Sequence, residues 1–146
     1  MSSTRTPAAA VCLFTVQKTL PLVPGGGSII MTASKAGSTA MAAFSVYSAA
    51  KAAIRPFARC WTLDLKNRKI RVNVVSPGPI ETPGLTGLAP NEEQRKGLYN
   101  MLASQVPLGR LGQPDEVAKA VVFLASDDSS FVTGIELFAD GGIAQV

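Results

Sequence analysis

The chain has 146 residues, 47% of them hydrophobic, with 14 Lys and Arg against 10 Asp and Glu and a formal net charge of +4. That length fits one domain with enough apolar material for a core. The basic residues are dispersed rather than clustered, which argues against a nucleic-acid partner, and the absence of histidine excludes a Ser-His-Asp triad and argues against a zinc site, so no metal is expected.

Residues 1–7 are polar and are expected to fray. Residues 8–20 read as an apolar helix that stops before Pro21 and Pro24. Arg5 followed by an apolar run suggests a signal peptide, but no cleavage pattern follows and Gln17-Lys18 continue the helix, so the cytoplasm is the default. No apolar stretch reaches membrane-spanning length. Gly25-Gly26-Gly27 makes a turn, and the apolar run that follows, about residues 28–33, reads as a buried strand. Residues 35–43 are small and loop-like.

Ser45 to about Asn67 reads as one long helix whose apolar face is Ile54, Phe57, Ala58, Trp61 and Leu65. Pro56 falls in its interior, where it removes a backbone donor and crowds the carbonyl of Ala52, at roughly 3 kcal/mol unless the helix kinks. A second strand spans about 70–76 and leads into Ser76-Pro77-Gly78-Pro79. Residues 91–105 form an amphipathic helix, Pro114 opens another that runs to about Ala125 with Asp115 and Glu116 at its positive end, and a third strand covers about 134–139. Cys12 and Cys60 lack CxxC spacing and are expected as buried free thiols, and the phenylalanines are expected mostly in the core. Strands alternating with helices imply an α/β fold with a three-stranded parallel sheet and flanking helices. Ligands of such sheets bind beyond the carboxyl ends of the strands, where Ser34 and Pro77-Gly78 fall.

One constellation carries chemistry. Tyr47 and Lys51 are four residues apart in YSAAK, so on a helix they share a face. An ammonium beside a phenol favours the phenolate, and such a tyrosine can exchange a proton with a carbonyl or alcohol oxygen that Ser34 holds. Each residue also has a plainer reading: a surface tyrosine beside a solvated lysine, Ser34 capping a turn, Pro77-Gly78 ending a strand, Thr82 capping a helix.

The ordered set GGSIIMTAS, FSVYSAAKAA, IRVNVVSPGPIETPG, PLGRLGQPDEVAKAVVFLASD and VTGIELFADGG resembles the later part of a short-chain dehydrogenase/reductase over residues 14–142. The resemblance implies a partial Rossmann-like fold and an NAD(P)-dependent oxidoreductase that interconverts an alcohol and a carbonyl. It makes Tyr47 the general acid/base, Lys51 its activator and a ligand of the nicotinamide ribose, and Ser34 the group that orients the substrate oxygen. Pro77, Gly78, Ile80 and Thr82 then line the nicotinamide. Residues 80–106 resemble the substrate lid, in which Leu85, Leu88, Leu98 and Met101 face either substrate or core, while Asn73 is read as structural.

The resemblance also implies what is missing. Nothing in the chain matches the family's phosphate-binding TGxxxGxG, and Ala8 stands where its catalytic asparagine is expected. The choice between NAD and NADP is therefore not readable. Cut from the family's seven-stranded sheet, the first strand here becomes an open apolar edge. The expected partners are a small-molecule substrate and a second copy or a complementing chain. The alternatives to an enzyme are a non-catalytic remnant, an oligomerising module, or half of a split enzyme.

Overall fold

In a computed structural model the chain is described over residues 8–39 and 42–146. The expected polar tail at 1–7, and residues 40 and 41 of the expected 35–43 loop, lie outside the described residues. Three strands, β1 (Ser28–Thr32), β2 (Arg71–Pro77) and β3 (Glu136–Ala139), form one parallel sheet in the order β1-β2-β3. Met31 lies opposite Val74, and Val75 opposite Leu137. β2 is the central strand, and its residues from Val72 to Ser76 are all buried, as expected of a strand covered on both faces.

β3 begins two residues later than the sequence suggests. Gly134, at φ +75°, and Ile135 complete the turn into it. Asn73 fixes that turn: its Nδ2 donates to the Val132 carbonyl at 2.9 Å, and its Oδ1 accepts from the Ile135 amide at 3.2 Å. Its side chain is fully buried, so its role is structural.

α1 (Ala8–Thr19) ends just before Pro21, as expected. In the glycine turn, the Gly27 amide donates to the Pro24 carbonyl at 3.1 Å and the Gly26 amide to the Arg68 carbonyl at 2.8 Å. Lys35–Gly37, read as loop, form a short 3-10 turn.

The expected long helix is two helices, α2 (Ser45–Ala52) and α3 (Ile54–Asp64), separated at Ala53. Pro56 explains the break. It lies in the first turn of α3, where amides have no intrahelical acceptor, so its missing N–H costs nothing. The interior-proline penalty therefore does not arise. Pro56→Ala is expected to destabilise the chain slightly, by about 0.4–1 kcal/mol through the freer unfolded state, rather than to stabilise it by about 3 kcal/mol. Urea denaturation distinguishes the two signs.

α3 turns the expected face inward. Ile54, Ala58 and Leu65 join Met31, Ala33, Ile70, Val72 and Val74 in the core, with Phe57 and Trp61 stacked at 5.0 Å against it. Cys60, two residues beyond Ala58, falls on the opposite side of the helix and is exposed, not buried, while Cys12 is half-buried against the core. The phenylalanines likewise depart from expectation: Phe14, Phe44, Phe123 and Phe131 are all exposed.

α4 (Pro83–Thr86) and α5 (Glu92–Ser104) follow β2. α6 (Pro114–Ala125) anchors to the sheet by Leu124, which is fully buried. Arg71 closes its carboxyl end, donating to the carbonyls of Leu124 at 2.8 Å and Ser126 at 3.0 Å. At its start, Glu116 accepts from both guanidinium nitrogens of Arg110 at 2.7 and 2.8 Å and from the Gln113 amide at 2.7 Å. The Arg110 hydrogen bond first, then the Gln113 amide, hold its carboxyl down at about 2. A depressed carboxylate contributes stability that is present above its ordinary value and is lost as pH falls through its folded value. Glu116→Gln is therefore expected to flatten the pH dependence of stability between about 4.5 and about 2, read from melts across that range.

Both outer edges of the sheet lack a strand partner among the described residues, since β1 and β3 each pair only with β2. Among those residues, no helix is long and apolar enough to cross a membrane.

Candidate active site

The carboxyl ends of β1 and β2 open into a cleft of about 970 Å³. Ser34, Tyr47, Lys51, Pro77, Gly78, Ile80 and Thr82 all line it, so every site residue expected from the sequence reaches one space.

Ser34 leaves β1 in extended conformation, and its Oγ accepts from the Ala36 amide at 3.3 Å. The plain turn-capping role is thus present alongside a place in the cleft. Two residues of the loop are tied to the neighbouring helix and sheet. A Cβ on Gly37 would lie 2.9 Å from the Ala52 amide nitrogen and 3.0 Å from the Lys51 carbonyl carbon, so only glycine lets the Ser34 loop seat on the Lys51 backbone. Ser38 Oγ donates to Glu136 at 3.4 Å.

Tyr47 and Lys51 lie one turn apart on α2. The Lys51 ammonium is 6.0 Å from the centre of the Tyr47 ring and donates to the Thr32 carbonyl at 3.0 Å, which ties α2 to the end of β1. Phe44 meets the Tyr47 ring edge-on at 5.9 Å. The Tyr47 side of the cleft is open, with 42% of the residue exposed.

The other wall is the turn after β2. Gly78 lies so close to Asp140 that a Cβ would come within 2.7 Å of its Cα, and the Gly78 amide donates to the Ala139 carbonyl at 3.1 Å. Ile80 forms an isolated parallel bridge with Gly112, and Thr82 caps α4 by accepting from the Leu85 amide at 3.3 Å. Of the four lid residues left open between substrate and core, Leu85 and Leu88 line the cleft. Leu98 and Met101 do not, although Met101 is 47% exposed.

Sequence reasoning missed five contributors. Phe44 and Val46 flank Tyr47 and line the cleft; their spacing from Tyr47 was the available signal. Pro114 and Val117 arrive from α6, which nothing local announces. Glu136, with its side chain only 3% exposed, accepts from Ser76 Oγ at 2.7 Å and faces Arg55 Nε at 3.4 Å. It thereby ties β3 to the Ser34 loop, to α3 and to the strand end before Pro77. A second cavity, of about 840 Å³, lies on the β3 side and includes none of Ser34, Tyr47 and Lys51.

The cleft has groups that could hold part of a cofactor. An ammonium, a threonine hydroxyl and a tight Pro-Gly turn converge there with Tyr47. A pyrophosphate cradle of free amides is not found in the glycine turn, because the Gly26 and Gly27 amides are already donated and the turn precedes β1 rather than following a strand.

Comparison with known proteins gives the class. A family model described as Enoyl-(Acyl carrier protein) reductase matches residues 8–144. Oxidoreductase asL5 of Sarocladium schorii is 48% identical over 136 residues, which is 92% of this chain and 53% of that protein. The 3-oxoacyl-(acyl-carrier-protein) reductase FabG of Thermotoga maritima is 42% identical over 117 residues, 80% of this chain and 45% of the relative. The angucycline C-6 ketoreductase LanV, solved with bound NADP, superposes with a TM-score of 0.84 at 30% identity, over 95% of this chain and 52% of LanV. The fold is thus a Rossmann-type α/β sheet of the oxidoreductase class, and the chain belongs to the short-chain dehydrogenase/reductase family. It spans about half the length of the relatives it matches.

Proposed function

We propose that this cleft is the reaction site of an NAD(P)-dependent oxidoreductase that interconverts an alcohol and a carbonyl. The observation that carries the reading is the convergence of Ser34, Tyr47 and Lys51 on one cleft at the carboxyl ends of β1 and β2. Ser34 donates to the substrate oxygen and stabilises charge developing on it. In reduction the Tyr47 hydroxyl gives that oxygen its proton, and in oxidation the phenolate takes it. Lys51, anchored to Thr32, keeps its ammonium on the tyrosine side of the cleft, 6.0 Å from the centre of the Tyr47 ring. Lys51, Pro77, Gly78, Ile80 and Thr82 would hold the nicotinamide ribose and ring, and the bound cofactor supplies or accepts the hydride. LanV, with its bound NADP, supports a nicotinamide cofactor for this fold; NAD and NADP are both compatible with the residues present.

A second reading, a non-catalytic module or one half of a two-chain enzyme, is favoured by the engaged amides of the glycine turn. Uncovered apolar surface fits a second copy or a complementing chain: among the described residues β1 has a free edge, and Phe14 and Leu22 on the α1 side are exposed. The test is a fluorescence titration of the folded chain with NADH and NADPH. Saturable binding of either supports the enzyme and selects its cofactor; no binding by a chain of native-like circular dichroism favours the second reading.

A further inference from the structure

We propose that Glu136 is a positioning residue of the cleft: its buried carboxylate fixes the Ser34 loop and the α2–α3 junction against the strand end before Pro77, and so sets how Ser34 stands relative to Tyr47 and Lys51. The inference rests on the oxidoreductase reading only for the reaction that this positioning serves.

The carboxylate has three partners, one on each element that builds the cleft. Ser76 Oγ donates to Oε1 at 2.7 Å, Ser38 Oγ donates to the two carboxylate oxygens at 3.4 and 3.5 Å, and Arg55 Nε faces Oε2 at 3.4 Å. Each partner lies close in the chain to a residue of the cleft. Ser76 directly precedes Pro77, and Arg55 lies four residues beyond Lys51, across the break at Ala53. Ser38 closes the 3-10 turn that Ser34 opens. The Ala36 amide donates to Ser34 Oγ at 3.3 Å, the Gly37 amide to the Ser34 carbonyl at 2.9 Å, and the Ser38 amide to the Lys35 carbonyl at 2.9 Å. The turn is therefore one bonded unit, and holding Ser38 holds Ser34. Gly37 already rests on the Lys51 backbone, so the carboxylate and that contact grip the turn at adjacent residues.

Burial says why the residue is a carboxylate. Glu136 lies opposite Val74 in the β2–β3 register, and Val74 and Ser76, two residues apart, share that face of β2. Val74 belongs to the apolar core, the Glu136 side chain is only 3% exposed, and Ser76 is fully buried. A carboxylate gives up its water there at a large cost, and apolar side chains of similar volume often replace a buried ion pair with no loss of stability. The sheet itself thus has no need of a charge at this place. What the charge supplies, and an apolar side chain does not, is a set of directed bonds. Glu136 lines the neighbouring cavity and not the cleft, so it acts through its partners and not on the substrate.

The test is amide hydrogen exchange, followed by NMR on the full chain without ligand. Glu136→Met removes both acceptor oxygens and keeps a side chain of similar length. In that variant, exchange at Ala36, Gly37 and Ser38 is expected to quicken at least about tenfold, the Ala36 amide reporting directly on Ser34 Oγ. The Leu65 and Arg71 amides, bonded to the Trp61 and Gly27 carbonyls, should exchange as before. Glu136→Gln keeps an acceptor for both serines and is expected to return the turn amides to within about threefold of the unaltered chain. Ser38→Ala leaves Ser76 and Arg55 in place, and it is expected to quicken Ala36 and Gly37 about fivefold; it carries the test if Glu136→Met does not fold. With a carbonyl substrate and NAD(P)H, kcat should fall about tenfold in Glu136→Met and recover in Glu136→Gln, while KM for the cofactor stays within about twofold. Equal quickening at every amide marks a merely structural role and overturns the proposal, as does unchanged exchange of the turn amides in Glu136→Met or Ser38→Ala. Unchanged kcat in Glu136→Met, beside an active unaltered chain, overturns it and leaves the enzyme standing. Loosened turn amides in a chain without turnover would keep the positioning role and remove the enzymatic reading.

Discussion

Tyr47→Phe is expected to lower kcat/KM for carbonyl reduction by about 10²–10⁴-fold, the usual contribution of a positioned proton donor, while leaving NAD(P)H affinity nearly intact. The substitution removes one oxygen and keeps the ring, so the edge-on contact with Phe44 at 5.9 Å survives. Lys51 keeps its hydrogen bond to Thr32, and the cleft wall from Pro77 to Thr82 is untouched. The loss should therefore fall on the chemical step and not on binding. Lys51→Met provides the contrast: it frees the Thr32 carbonyl and removes the proposed cofactor contact, so both kcat and cofactor affinity should fall. The readout is consumption of reduced nicotinamide at saturating cofactor, alongside the fluorescence titration. Turnover unchanged in Tyr47→Phe would remove this residue from the mechanism.

Ile54→Ala is expected to cost about 2–5 kcal/mol of folding stability, the range for truncating a large buried aliphatic side chain. Ile54 is fully buried in the cluster that includes Met31, Ala33, Ala58 and Val74. Single domains have about 5–15 kcal/mol in total, so this one change removes a large share. It also lies three residues beyond Lys51, at the first position of α3, beneath the α2–α3 junction. A cavity there loosens the element that aims Tyr47 and Lys51, so activity should fall at temperatures where the fold still holds. Urea denaturation measures the effect as a lower midpoint at unchanged slope. Cys60→Ala, on the exposed side of the same helix, is the control and should stay within about 0.5 kcal/mol. A loss below 1 kcal/mol in Ile54→Ala would mean that the core collapses into the vacated space.

The contrast between Ile54 and Cys60 shows where local reading succeeds. The apolar face of α3 was legible because helical periodicity places Ile54, Ala58 and Leu65 on one side, and those three are buried. Cys60, Phe14 and Phe123 occupy outward helix faces and Phe44 and Phe131 lie outside the helices, so residue type alone does not give their burial. The sequence suggests one helix through Pro56, strained or kinked there, whereas the structure ends α2 at Ala52 and restarts at Ile54, ahead of the proline. The start of β3 was legible only to within two residues, because the Asn73 side chain, a long way back in the chain, satisfies the turn.

The site divides in the same way. The positions of Ser34 at a strand end, of Tyr47 and Lys51 one helical turn apart and of Pro77-Gly78 in a tight turn were legible in the sequence, whereas a role for each came only from the family resemblance. That these elements share a single cleft was decided by parallel pairing of β1 with β2, which brings both carboxyl ends to one side. The tertiary structure alone also supplied Val117 from α6, the glycine contact that seats the Ser34 loop on Lys51, and the Glu136 carboxylate that gathers Ser38, Arg55 and Ser76. Those contacts join residues far apart in the chain, and spacing along a sequence carries information only about neighbours within a turn or a strand.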